Sequence, residues 1–242
     1  MAVKTLGTLS RGLRIVEVMA THQPVGLSDL ARLMSEDKSA VQRTLATLDD
    51  EGWIRPTSDT PRRWELTNKM LMVASTALTT APLPVRARTL MGTLRNTTGE
   101  TAYFAMLEGT AVVVVDVAEG NQAVRTAVRP GQSLPVTSSA VGHALFAHLD
   151  AGQRAEFAVD PSAFLSDEDY SEIRARGWSL SEGFVRQGTT SLAAAVRDRS
   201  GHPVGAVVVS GPDTRITPEK YAEIGAHVRD AASELGGRPP SS

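Results

Sequence analysis

Between Gly52 and Trp53 the hydrophobic period of this chain changes from that of helices to that of strands. Upstream, residues 10–52 read as three short helices. The first is predicted from about Ser10 to His22, with Leu13, Val16 and Ala20 spaced for one buried face, and Gln23-Pro24-Val25-Gly26 breaks it. The second is predicted to start at Ser28, a favourable N-cap, and to run to about Met34. Ser35-Glu36-Asp37 forms a turn. The third helix then runs from about Lys38 to Glu51 and stops at Gly52, a favoured C′ residue. Downstream, Trp53-Ile54-Arg55 and Arg63-Trp64-Glu65-Leu66 read as two short strands around a loop rich in Pro, Ser, Thr and Asp. Three helices followed by a β-hairpin is the order of a winged helix-turn-helix.

The third helix can be tested by angle. At about 100° per residue, Val41, Leu45 and Leu48 fall within about 60° of one another and form its packing face. Ser39, Gln42, Arg43 and Ala46 lie opposite, with Lys38 on the flank. Small, amide and cationic side chains in the N-terminal half are what base-edge and phosphate contacts require. Asp49, Asp50 and Glu51 sit at the far end, away from phosphates. Arg62 and Arg63 flank the hairpin loop, placed for phosphate or the minor groove. Arg11 and Ser28, near the starts of the first two helices, complete the candidate DNA contacts. An ordinary amphipathic helix shows the same solvated face; the preceding helix, the three-residue turn and the hairpin favour DNA. Charge does not decide the matter. The first 70 residues hold ten Lys/Arg against nine Asp/Glu, or +1, and the remainder fifteen against eighteen, or −3. DNA binding must therefore rest on a few well-placed cations.

A chain of 242 residues suits two modest domains. Thr79-Thr80-Ala81-Pro82-Leu83-Pro84 marks the break. We expect a winged helix-turn-helix over 1–66, a linker helix (Asn68–Leu78) and linker over 67–84, a mixed helix-and-strand domain over 85–236 and a disordered tail over 237–242. Val85–Thr97 reads as a helix in the second half. Strands are predicted at Thr101–Leu107, Ala111–Val117, Ala123–Val128, Ser191–Arg197 and Val204–Ser210. Helices follow at Ala140–Leu149, after the cap Ser166, and at Pro218–Leu235. Short turns between strands imply an antiparallel sheet flanked by helices, so the fold class is α+β.

With no cysteine, disulfides and thiolate sites are excluded. No stretch approaches about 18 apolar residues and the N-terminus does not resemble a signal peptide, so no membrane partner and a cytoplasmic location are expected. Ser138 or Ser139 with His143 and Asp150 suggests a hydrolase only weakly, because no Gly-x-Ser-x-Gly surrounds either serine. His143 and His148 fall about 140° apart on a helix and cannot share a metal. No phosphate-binding glycine loop is present. No enzyme activity, metal or cofactor is expected.

The chain resembles the IclR family of bacterial transcription regulators. The resemblance rests on Ser10–Val16, Leu27-Ser28-Asp29-Leu30-Ala31, Lys38–Leu45 and Leu48–Gly52 in the first half. In the second it rests on Gly99-Glu100-Thr101-Ala102, Leu134-Pro135, Ala140–Ala144, Gly188–Val196 and Ser210-Gly211-Pro212. It implies a GAF-like C-terminal domain, a homodimer or tetramer, a double-stranded DNA operator and a small-molecule effector, with repression as the default. It places the effector between the sheet and the loop leading to the helix near Ala140, on Ala123, Thr126, Leu134, Ala140, Val141, Ser181, Thr189, Ser191, Val208 and Ser210. Alternate residues of one strand share a face, so Val208 and Ser210 are both expected there. An apolar Val208 and small Ala123 and Ala140 suggest a flat ligand such as an aromatic carboxylate, received by backbone N–H groups around Ser139–Val141. Departures from the family pattern are Ala195 in place of proline, His143 in place of lysine and Phe184 in place of an acid. A GAF-like binding module, or a winged-helix regulator of another family, is the alternative reading.

Overall fold

A computed structural model describes residues 6–58, 60–80, 82–157, 160–183 and 187–236. The chain divides into two compact units, Met1–Thr80 and Ala81–Ser242. The expected tail and the Phe184 departure lie outside the described residues.

In the first unit, α1 (Gly7–His22) buries Ile15 and Met19, one helical turn apart. The buried face is therefore not the expected one: Leu13 and Ala20 are exposed and Val16 is half-buried. The error is one of phase, since several apolar residues share this helix and only packing selects among them. A two-residue strand β1 (Val25–Gly26) precedes α2 (Leu27–Met34), whose N-cap is Gly26. Ser28 is thus the second residue of that helix rather than its cap. Ser35 adopts the left-handed conformation, φ 53°, to end it. Asp37 then caps α3 (Lys38–Asp50), its carboxylate accepting from the Ser39 N–H at 2.9 Å and the Ala40 N–H at 3.1 Å. Beyond the C-cap Glu51, Gly52 has φ +71°, as a C′ glycine should. The strands β2 (Ile54–Pro56) and β3 (Arg63–Leu66) form the wing, and β1 adds to it in the order β1-β3-β2. Ile15, Met19, Val25, Leu30, Met34, Val41, Leu45 and Ile54 make one core. A helix α4 (Lys69–Thr80) completes this unit.

The stretch expected as a linker is helical on both sides of residue 81, since α5 (Pro82–Thr98) begins directly after it. Proline is tolerated in a first helical turn, where the missing N–H has no helical partner in any case.

The second unit is built on a six-stranded antiparallel sheet in the order β6-β5-β4-β9-β8-β7. The strands are β4 (Thr101–Glu108), β5 (Ala111–Ala118), β6 (Ser133–Leu134), β7 (Ser179–Glu182), β8 (Thr189–Arg197) and β9 (Pro203–Pro212). Period-two alternation sorts their side chains. Ala102, Phe104, Leu192, Ala194, Val207 and Val209 pack with α5 and with α9 (Pro218–Leu235). Tyr103, Ala105, Ala193, Ala206 and Val208 pack on the other side with α6 (Ala140–Phe146). Both faces are buried, which explains the nearly continuous apolar runs. A third layer joins α6 to α8 (Asp167–Arg176) through Phe146, Leu149, Tyr170 and Ile173. Between them, Asp150 starts α7 (Ala151–Ala155) with a capping box to Gln153, which ends the expected Ala140–Leu149 helix early.

The predicted strand Ala123–Val128 is absent: residues 121–129 are described as irregular chain. Its pairing sites are occupied, since β4 already has β5 and β9 on its two edges. The segment is held by side chains instead. The Thr101 hydroxyl donates to the Thr126 carbonyl at 2.8 Å and accepts from the Gly120 N–H at 3.1 Å.

His148, half-buried after α6, has its pKa pushed down to about 4 by burial and by the guanidinium charges of Arg197 and Arg174. The unfolded chain takes up this proton near pH 6.5 and the folded chain does not. Stability contributed by the neutral ring is therefore complete above about pH 6.5 and is lost as pH falls towards 4. Urea denaturation should show a loss of about 1–2 kcal/mol between pH 6.5 and 5, after allowance for partial exposure. His148→Gln should flatten that part of the profile.

Candidate functional site

The first unit presents α3 with Ser39, Gln42, Arg43 and Ala46 exposed and Val41 and Leu45 buried, so the angular reading of this helix matches. Lys38 is exposed at its N-terminus. The Ser39 hydroxyl is engaged, donating to Asp37 at 2.5 Å, and that bond with the Ala40 N–H holds the Asp37 carboxyl below its usual range. Ser39 thus orients the helix start more than it offers a donor. An open groove of about 760 Å³ runs between α3 and the wing, lined by Gln42, Ala46, Asp49, Asp50, Arg62 and Trp64 among others. Asp49 and Asp50 therefore flank the candidate reading surface instead of lying clear of it. The Arg62 guanidinium stacks over the Trp64 ring at 4.6 Å, and Arg63 donates to the Pro24 carbonyl at 3.0 Å. Arg11 is partly buried and ion-paired with Glu36 at 3.1 Å. That pair ties α1 to the turn before α3, so Arg11 has a structural partner where a phosphate contact was expected. Ser28 is exposed in the first turn of α2.

The second unit encloses a cavity of about 130 Å³ between the sheet, α6 and the segment before β6. Thr126, Leu134, Ala140, Ser181, Thr189 and Ser191 line it. Ser210 stands immediately behind, its hydroxyl 2.8 Å from that of Ser191 and 3.3 Å from that of Thr126. Like Ser210, three further expected residues are not in the lining. Ala123 is exposed on its loop, and Val141 and Val208 are completely buried in the core beside α6. Val208 lies in register with Tyr103 and Ala193, one row away from the hydroxyls. Its apolar character therefore reports packing, and carries nothing about the ligand.

The register makes a row of hydroxyls across four strands: Thr101 opposite Ser210, Ser210 opposite Ser191, Ser191 opposite Ser181. Thr101 donates to the Thr126 carbonyl and Ser181 to the Ser138 carbonyl at 2.9 Å. The Ser139 hydroxyl accepts from the Gly142 N–H at 3.1 Å and caps α6, while the Ser139 N–H is bonded to the Pro135 carbonyl. Of the backbone groups expected to receive a carboxylate, only those of Ala140 and Val141 remain at the first turn. Ser139 lines the cavity too, as do Tyr103, Ala127, Val128 and Gln132, which were not foreseen. Tyr103 was findable: it is the one residue with a polar tip in an otherwise apolar run, two positions from Thr101 and so on the same face. Among the described residues no lysine, arginine or histidine lines the cavity. His143 has its ring nitrogens against the Thr137 carbonyl at 2.8 Å and the Leu180 carbonyl at 3.4 Å, with neither serine as partner. Among the described residues no cluster of three metal-ligating side chains occurs, and no helix is long and apolar enough to cross a membrane.

Two family models match the chain, the IclR helix-turn-helix domain over residues 8–58 and the bacterial transcriptional regulator IclR C-terminal domain over 75–236. The chain belongs to the IclR family. The two matches divide it as its architecture does, into a DNA-binding unit of winged-helix form and an effector-binding α+β unit. Curated IclR relatives match at full scale. The transcriptional regulator BhcR of Paracoccus denitrificans is 31% identical over 94% of this chain and 85% of its own. The transcriptional repressor IclR of Escherichia coli K12 is 28% identical over 94% of this chain and 88% of its own. Among solved structures, an IclR homolog from Microbacterium hydrocarbonoxydans complexed with 4-hydroxybenzoate superposes with a TM-score of 0.77. It is 20% identical and the match covers 95% of this chain and 97% of that one, a likeness of fold. As an IclR-family member the chain is a DNA-binding transcription regulator controlled by a small molecule.

Proposed function

We propose that this regulator is a repressor whose operator binding is released by a small, singly charged or neutral oxygenated molecule of about one ring. The cavity carries this reading. Its volume of about 130 Å³ is close to the roughly 150 Å³ that accommodates a benzene ring. Among the described residues its walls mix apolar and neutral polar groups without a cation. Burying a multiply charged ligand there would be costly, because nothing compensates the second charge. A monocarboxylic acid such as a hydroxybenzoate fits both limits, and the 4-hydroxybenzoate bound by the Microbacterium homolog is of that class.

Lys38, Gln42 and Arg43 form the reading face, with Arg62 and Arg63 on the wing and Ser28 towards the backbone. A homodimer presents two such reading helices to the two half-sites of an operator. The surface for that dimer is apolar: Leu9 and Leu13 of α1 and Val73 of α4 are exposed around an open groove of about 850 Å³ within the first unit. Patches of this kind mark interaction sites. The site is cytoplasmic, where operator DNA is, and His143 bonded to carbonyls favours regulation over catalysis.

Fluorescence anisotropy on a duplex from upstream of the protein's own gene, against a scrambled duplex, tests the reading. We expect a preference of about 10³-fold or more. Arg43→Ala should weaken binding to the native duplex by about 1–3 kcal/mol if it reads a base edge. An equal loss on both duplexes would assign Arg43 to phosphate, and no preference in the parent protein would overturn operator reading.

A further inference from the structure

We propose that Tyr103 is a specificity-determining residue of the effector cavity, whose phenol hydroxyl donates a hydrogen bond to a carboxylate or carbonyl oxygen of the bound molecule. The inference rests on the cavity being the effector site. Tyr103 is 5% exposed and sits in β4, between Val117 of β5 and Val208 of β9, on the sheet face that borders the cavity. Its hydroxyl has no hydrogen-bond partner among the described residues, and burial alone raises its pKa. Yet among the described residues no fully enclosed side-chain polar atom lacks a partner. The hydroxyl is therefore not sealed in protein, and the residue lines the cavity.

A buried phenol almost always finds a partner within its own chain, because an unmade hydrogen bond costs stability. The surroundings make the exception informative. The Thr101 and Ser181 hydroxyls, on the same face, both donate to backbone carbonyls, and Ser191 and Ser210 bond each other. Among the described residues, Tyr103 is the member of that group with no hydrogen-bond partner at all. Held protonated by its burial, it is a donor at neutral pH. A ligand oxygen placed against it removes the cost of the unmade bond, whereas a ligand with a hydrocarbon edge there leaves that cost in place. The residue thus discriminates by what the effector carries at that edge.

Tyr103→Phe removes only the hydroxyl, and two readouts separate a recognition role from a structural one. Without ligand, the variant should melt at the same temperature as the parent or higher, since no internal bond is lost. Calorimetric titration of the full chain with benzoate, 4-hydroxybenzoate and 3-hydroxybenzoate should show the best-binding probe weakened roughly 5–20-fold, the worth of about one hydrogen bond. Binding within twofold of the parent overturns the role of Tyr103 and leaves the cavity reading intact. A variant that melts several degrees lower shows a structural role and overturns the inference as well. No binding of any probe to the parent overturns the single-ring acid reading, and the inference with it.

Discussion

Gly142→Ala should lower the stability of the C-terminal unit by about 3 kcal/mol or more, among the larger effects a single methyl can have. The reason is backbone against backbone. A Cβ at Gly142 would lie 1.6 Å from the Val136 carbonyl oxygen and 2.4 Å from its carbonyl carbon. No side chain can rotate away, so either α6 or the segment before it must shift. Every residue of α6 from Ala140 to Phe146 is buried, which leaves the helix little room. The Gly142 N–H also donates to the capping hydroxyl of Ser139, a cavity residue, so the shift reaches the ligand site. For a unit of this size, the thermal midpoint should fall by roughly 6–12 °C in calorimetry. A fall below 2 °C would mean that the two segments separate easily and that the close approach contributes little.

The second large effect is expected at Arg215. The Glu100 carboxylate, only 6% exposed, is held by two guanidinium nitrogens of Arg215, one at 2.7 Å. The same guanidinium donates to the Val124 carbonyl at 2.9 Å. Arg215→Met removes the guanidinium and leaves the buried Glu100 carboxylate without that partner. Such losses reach about 3–5 kcal/mol in full burial. Arg215 is about one-third exposed, so water relieves part of the cost, and about 2–3 kcal/mol is expected in urea denaturation at pH 7. Adding Glu100→Gln should recover part of the loss. Hydrogen exchange should quicken around Val124, where the loop loses its anchor. A variant as stable as the parent, with unchanged exchange, would show that the pair is replaceable.

The reading helix and the hairpin were legible because each carries its own local signal. The run Lys38–Asp50 has one apolar stripe and a glycine just beyond its end, and Arg63–Leu66 alternates beside a polar loop. The first helix was not fully legible. Leu9, Leu13, Val16, Ile15 and Met19 offer more than one apolar stripe, and nothing local says that Ile15 and Met19 face the core. The false strand at Ala123–Val128 has the composition of a strand. What it lacks is an unoccupied edge, and edges are a property of the whole sheet. The cavity divided in the same way. Family likeness led to Thr126, Leu134, Ala140, Ser181, Thr189 and Ser191, which converge. It also led to Val141 and Val208, whose side chains are absorbed into packing. Arg11 looked like a surface cation because its partner Glu36 is distant in sequence. In each failure the missing information was a long-range neighbour.

The three hydroxyls of Ser191, Ser210 and Thr126 share two contacts among themselves and so leave one proton over. If the bonds run towards Thr126, that proton lies at the loop and Ser191 offers only lone pairs to the cavity. If Ser210 donates to Ser191 instead, giving up its longer contact to Thr126, Ser191 points its proton inward. The change needs only hydroxyl rotations about C–O bonds and moves no heavier atom. One wall of the cavity is therefore ambidextrous, able to face an acid oxygen or an alcohol group with the same three residues. A descendant of this regulator that came to answer a different metabolite would not have to begin by changing them.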